Sequence, residues 1–199
     1  MVGAYITGLK TDLQNTLFAA LIAVLLPAFY VFLGSAWLMI KTEDDLFGKA
    51  VAWGRRSLLP MAGALLLISA ATPLVSTTIA ERWFTLPNAI GLAPIPLTCA
   101  LVFAGLTGFF TRPTETLYRY AWVPFTGALV IGVMAAIGLF YSLYPYVVID
   151  ELTIWEAASA TSSLQFVLVG VVITIPAIIG YSIYVYRIFA GKATDLDYG

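Results

Sequence analysis

Apolar positions in this chain run together instead of alternating with polar ones. Five stretches of predominantly apolar residues stand out: about Leu17–Ile40, Ser57–Ala80, Asn88–Thr111, Ala121–Tyr144 and Leu164–Phe189, the last carrying Arg187 near its end. About 20 such residues span the hydrocarbon core of a bilayer as a helix. The apolar character goes all the way round, whereas a helix on the surface of a soluble domain keeps one polar face. Backbone groups in lipid must satisfy one another internally, which favours helices. A membrane barrel would instead show alternating strands of about 10 residues, and the sequence has none. The pattern predicts an all-α integral membrane protein, a bundle of about five transmembrane helices, forming a single membrane domain over residues 1–199.

Polar residues fall between the runs and give the bundle a direction. Lys41, Lys49, Arg55 and Arg56 follow the first run, Arg112 and Arg119 the third, and Arg187 and Lys192 close the last, so eight cations share one side against Lys10 and Arg82 on the other. The positive-inside rule then puts the C-terminus in the cytoplasm and the N-terminus outside. Trp37, Trp53, Trp83, Trp122 and Trp155 sit near the ends of the runs, where an interfacial aromatic belt belongs. Met1–Thr11 has neither a basic n-region nor an A-x-A cleavage site, so no signal peptide is expected. An outside N-terminus without one suits the second half of a longer chain.

Composition narrows the function. Of 199 residues, 61% are hydrophobic and 11% charged, against roughly 25% charged in a soluble domain. No single soluble core hides that much apolar surface. A net charge of −1 offers no footprint for nucleic acid. The single cysteine, Cys99, excludes an internal disulfide, and the absence of histidine removes the commonest metal and haem ligand and general base. Every acidic residue, from Asp12 and Glu43 to Asp195 and Asp197, sits in a predicted loop or tail. Ionisable residues at mid-membrane mark ion pathways and proton relays; without them a self-contained pump or redox centre is disfavoured. Met39, Met61 and Met134 are read as packing residues, as is Cys99.

Small residues (Gly34-Ser35-Ala36, Gly63-Ala64, Gly105, Gly108, Gly127-Ala128, Gly132) invite close helix approach. Pro27, Pro60, Pro73, Pro94, Pro96, Pro124 and Pro176 lie in or beside the runs. Broken helices build midplane sites in some transporters, but neighbouring helices also simply tolerate such prolines. Pro94-Ile95-Pro96 is expected to bend the start of the third helix. The long outer loop, residues 145–163, carries Asp150, Glu151, Trp155 and Glu156 and no cation. It reads either as a docking surface or as a short interfacial helix, with Trp155 in the headgroups and Ser162 or Ser163 capping the last helix.

Four stretches carry a family resemblance: Gly34-Ser35-Ala36-Trp37-Leu38-Met39-Ile40-Lys41-Thr42-Glu43; Ala71-Thr72-Pro73-Leu74-Val75-Ser76 with Arg82-Trp83-Phe84 and Pro94-Ile95-Pro96-Leu97; Leu152-Thr153-Ile154-Trp155-Glu156-Ala157-Ala158-Ser159 with Ser162-Ser163-Leu164; and Pro176 through Tyr181, Tyr184 and Tyr186 to Phe189-Ala190-Gly191-Lys192. In these the chain resembles the C-terminal half of subunit II of cytochrome bd-type quinol oxidases, most closely the cyanide-insensitive branch. It departs in Glu156, where the family usually has Asp after the loop tryptophan, and in Asp44, where a glycine is expected. The family's subunits are also far longer, with four further N-terminal helices.

The resemblance implies a non-haem structural subunit in a bacterial or archaeal plasma membrane. The haem-bearing subunit I would carry haem b and haem d, or b-type haem only, oxidise quinol and reduce dioxygen to water. This chain would bind no cofactor and hold no catalytic residue. Further expected partners are the missing N-terminal half of subunit II, a small accessory subunit, and membrane lipid and quinone. Trp155, Glu156, Ser159 and Ser163 are the candidate subunit-contact residues of the outer loop. Two other readings stay open: a small membrane transporter or channel component, and a membrane scaffold without a redox partner.

Overall fold

The structure, a computed structural model, describes residues 13–149 and 151–192. Lys10, Asp12, Asp150, Asp195, Asp197 and the expectation about a signal peptide lie outside them. Among the described residues, five helices are long and apolar enough to cross a membrane. They are α1 (Leu13–Lys41), α2 (Asp44–Val75), the pair α4 (Asn88–Leu92) and α5 (Pro94–Phe110), α7 (Trp122–Leu143) and α9 (Thr161–Ile188). Short helices α3 (Thr77–Phe84) and α6 (Thr114–Arg119) link them, and a small hairpin of β1 (Tyr146–Val148) and β2 (Leu152–Thr153) leads into α8 (Ile154–Ala157).

Apolar helices gain little from leaving lipid for one another, so close packing must hold them. α1 and α2 form the most extensive pair, α7 packs on α1 and α5, and α2 touches α5. Phe32, Ala36, Met39 and Ala50 are fully buried where α1 meets α2. A Cβ on Gly54 would lie 3.0 Å from the Phe110 ring and 3.2 Å from Ser35 Oγ, so α1, α2 and α5 converge there around a missing side chain. Gly127 does the same for α7, with the Leu106 side chain of α5 at 3.0 Å from that position. Gly34, Gly63, Gly105 and Gly108, also expected to serve close approach, face open space.

Buried hydroxyls spend their protons within their own helices. Ser35 donates to the Phe32 carbonyl at 2.8 Å, Thr72 to Ile68 at 2.7 Å and Ser142 to Gly138 at 2.7 Å. This back-bonding satisfies a hydroxyl where no water reaches it.

The second span differs from its predicted course over 57–80. α2 starts at Asp44, so Lys49, Arg55 and Arg56 are not in a loop but on its first turns, and it ends at Val75. Its 32 residues make a rod of about 48 Å, far longer than the ~30 Å hydrocarbon core; the charged portion extends past the apolar slab. At the other end Ser76, extended at φ −129°, caps α3 by accepting the Ile79 N–H. The third span, read as 88–111, divides at Ala93, and Pro94 stands in the first turn of α5. There its missing N–H costs nothing, and Ala93 joins the two helices at helical dihedrals, φ −53° and ψ −36°. The last helix begins at Thr161, not Leu164. Its cap is Ala160 without a side-chain hydrogen bond, so Ser162 and Ser163 lie inside the first turn and do not cap it.

Asp44 is the one described non-glycine residue with positive φ, at 46°. It stands where the resemblance expects glycine. The tight α1–α2 turn thus keeps its left-handed geometry, and aspartate is among the few residues that tolerate it. Asp44→Gly should unfold no more easily than the wild type. Asp44→Val should lose about 1–2 kcal/mol, read as a lower midpoint of thermal unfolding in detergent.

Candidate functional site

Chemistry-bearing side chains gather at the two ends of the bundle. At the end opposite the basic loops, α3 lies across the tops of the long helices with Ile79 buried beneath it. Arg82 turns its Nη1 to the carbonyls of Tyr141 and Ser142, each at 3.4 Å, and to that of Tyr144. Those are unpaired carbonyls at the C-terminus of α7, where the helix dipole favours a cation. Beside it Trp83 Nε1 donates to Ser142 Oγ at 2.8 Å. The sequence offered one signal for this: Arg82 is the lone described cation at its end of the molecule.

The outer loop folds back onto the same end. The Ile154 N–H donates to the Pro145 carbonyl at 2.9 Å, and the Trp155 ring meets Tyr144 edge-on at 6.1 Å while staying 64% exposed. Thr153 and Glu156 close a capping box around α8. The Thr153 N–H donates to Glu156 Oε2 at 2.9 Å, Thr153 Oγ1 donates to the same oxygen at 2.8 Å, and the Glu156 N–H donates to Thr153 Oγ1 at 3.3 Å. Glutamate is the residue type this motif uses at its third position, which accounts for the longer side chain here. Ser159 and Ser163 are exposed and take no part. The structure therefore joins Glu156 to Thr153 and Trp155 to Tyr144, and does not bring the four candidate residues into one cluster.

The basic end holds a second constellation that sequence reading missed. Lys41 Nζ donates to the carbonyls of Phe189 at 2.7 Å and Gly191 at 3.0 Å, closing the C-terminus of α9. Gly191 has φ 108°, a conformation that glycine alone takes readily. Lys192 Nζ sits 3.2 Å from the Tyr118 ring centroid and 5.8 Å from that of Phe47, with Glu43 Oε1 at 3.8 Å. Tyr118 donates to that same Glu43 oxygen at 2.9 Å. The ammonium is enclosed without a hydrogen-bond partner, held by the carboxylate charge and two ring faces. One foot of α9 is thereby clamped to the α1–α2 turn and α6.

The family model of cytochrome bd terminal oxidase subunit II matches residues 1–189. The chain belongs to this family. No curated protein matches it. Subunit II is part of a quinol oxidase complex, and the family implies a partner subunit I and haem in the assembly. This chain has no histidine; Met39 and Met61 are sealed in the apolar core, and Cys99 and Met134 line a cavity between α2, α5 and α7. Among the described residues no group of three or more His, Cys, Asp and Glu could hold a metal.

Two predictions follow from these ends. The hydrogen bonds from Thr153 hold the Glu156 carboxyl below its ordinary value, about 4.3 for glutamate. A depressed folded value means that the cap is intact above that range and fails as the pH drops through the depressed value. Acidification should lower the amide protection factors across Thr153–Ala157, taken against the intrinsic exchange rate at each pH; Glu156→Ala should lower them at neutral pH, and Glu156→Gln should not. At the basic end, Lys192→Met keeps the stem and removes the charge. It should cost about 1–2 kcal/mol and raise amide exchange at Phe189–Gly191.

Proposed function

We propose that this chain is a non-haem structural subunit of a bd-type respiratory quinol:O2 oxidoreductase, supporting assembly of the haem-bearing subunit I. That partner would oxidise quinol and reduce dioxygen to water. The supporting observation is α9. It is 28 residues long, strongly apolar, and none of its residues is buried. Its described contacts are at the foot: Trp37 on Tyr186 at 6.1 Å and the Lys41 and Lys192 clamp. A helix fixed at one end and bare along its length presents a packing face to another membrane helix.

The orientation follows from charge. The basic end faces the cytoplasm, which puts Arg82, Trp155 and Glu156 on the outer side of a bacterial or archaeal plasma membrane. In this arrangement the chain corresponds to the family's C-terminal half. The remaining N-terminal helices of subunit II, a small accessory subunit, lipid and quinone are its further neighbours, and Trp155, Glu156, Ser159 and Ser163 form the rim toward partners at the outer face. A transporter reading would need a polar midplane site, and the large cavity of this bundle is lined mainly by apolar side chains, with the hydroxyls of Thr72 and Ser142 donating to their own helices.

Gly170 and Gly180 test the proposal, because a Cβ added at either position has no described atom within 4 Å. Gly170→Leu and Gly180→Leu should leave the subunit inserted and folded. At least one should reduce, several-fold, the haem absorbance that co-purifies with a tagged chain from native membranes. Full haem recovery with both variants would remove α9 as the assembly face.

A further inference from the structure

A second hollow lies closer to the basic end than the large cavity beneath α3. It holds about 220 Å³ between α2 and α5. Leu58, Leu59 and Ala62 of α2 line it with Phe103 and Phe110 of α5, and Arg55 stands at its end. From Arg55 to Ala62 it runs about 10 Å along α2.

The length of α2 fixes the level of this site in the membrane. Arg55 precedes the last residue of the helix, Val75, by 20 residues, about 30 Å, which is the thickness of the hydrocarbon core. With Val75 at one face of the core, Arg55 stands at the headgroups of the other. The exposed Trp53 beside it marks the same interface. Arg56 follows on α2, and Arg112 comes two residues after Phe110, whose ring packs at Gly54. All three arginines are exposed. None is in an ion pair among the described residues, where the pairs are Lys49 with Asp45 and Lys192 with Glu43.

Charge at one end and hydrocarbon below it select an amphipathic occupant. The one other polar side chain of the lining, Thr107, donates its hydroxyl to the Ala104 carbonyl at 2.8 Å. A soluble phosphate would answer the arginines and leave the groove empty. A neutral lipid would cover the groove and leave the arginines unanswered, and a zwitterionic one would bring an ammonium group among them. An anionic phospholipid satisfies both ends: its phosphate accepts the forked guanidinium donors, and the first part of an acyl chain restores dispersion contacts to the walls.

We propose that this flank binds one anionic phospholipid of the phosphatidylglycerol type, with its phosphate on Arg55 and the upper part of one acyl chain between α2 and α5. The inference deepens the lipid contact proposed above. It rests on that reading for the cytoplasmic leaflet and not for the identity of the partner subunit.

The test uses the intact complex in lipid nanodiscs. Two photoreactive probes share the same acyl chains, with the reactive group close to the glycerol: a phosphatidylglycerol and a phosphatidylcholine. Labelled peptides are mapped by mass spectrometry. Each Lys or Arg near the surface is worth about fivefold in affinity for anionic lipid. Leu58–Ala62 and Phe103–Phe110 should therefore carry at least about fivefold more label from the phosphatidylglycerol probe than from the phosphatidylcholine probe. Arg55→Gln should remove that preference. Arg119→Gln, at the same end of the bundle and outside the groove, should leave it intact. Thr107→Phe fills the groove without altering charge and should reduce labelling of both peptides by both probes. All three variants should co-purify haem as the wild type does. Equal labelling by the two probes, or an equal loss in Arg55→Gln and Arg119→Gln, would mean a diffuse basic surface and overturns the proposal. So does labelling by neither probe, the result expected if an acidic protein segment covers the groove. Absence of haem from the wild-type preparation counts against the oxidase reading alone, because the lipid labels are read on this chain.

Discussion

Everything in this subunit depends on how bare backbones and small side chains let apolar helices touch. In water, burying Phe32 or Met39 would itself drive folding. In a bilayer the surrounding chains are as apolar as the protein, so the gain must come from contact quality. Gly54 shows the consequence. Three helices meet where it has no side chain, with the Phe110 ring and Ser35 Oγ within 3.2 Å of where one would begin. Gly127 against Leu106 repeats the device between α5 and α7. Once these contacts are set, the cavity beneath α3 follows, because α2, α5 and α7 are held together on one level and stand apart on another.

The same constraint drives polar chemistry to the ends. Within the apolar slab the described buried hydroxyls Ser35, Thr72 and Ser142 donate to their own helices. Helix termini cannot satisfy themselves in this way. Arg82 serves the end of α7 and Lys41 serves the end of α9. Each cation is thus a cap, and the charges that mark the two ends of the bundle also hold those ends together.

Much of this was legible in the sequence, for a physical reason. Hydropathy reports residence in lipid, so α7 falls within a residue of its expected bounds, and the family resemblance agrees with the family match over residues 1–189. Hydropathy does not report where a helix ends outside lipid. α2 runs on through Arg56, Arg55 and Lys49 to Asp44 in water, where a charged helix looks like a loop. It stops at Val75 inside an apolar run, because Ser76 offers a cap to α3. Ser162 and Ser163 had the right chemistry for a cap and the wrong register. The Lys192 cage joins residues from three distant segments, and no local pattern announces it; Arg82 stood out as one of two cations, with Lys10, on its side of the sequence.

α9 closes the argument. A helix that packs poorly on its own chain is a weakness in an isolated protein, since lipid and protein neighbours are then nearly equivalent. Here that helix is tied down, at its foot only, by a lysine on two carbonyls and by a second lysine between a carboxylate and two rings. Such a clamp fixes position without consuming the face. The rest of α9, including Gly170 and Gly180 where another backbone can approach, remains available for packing.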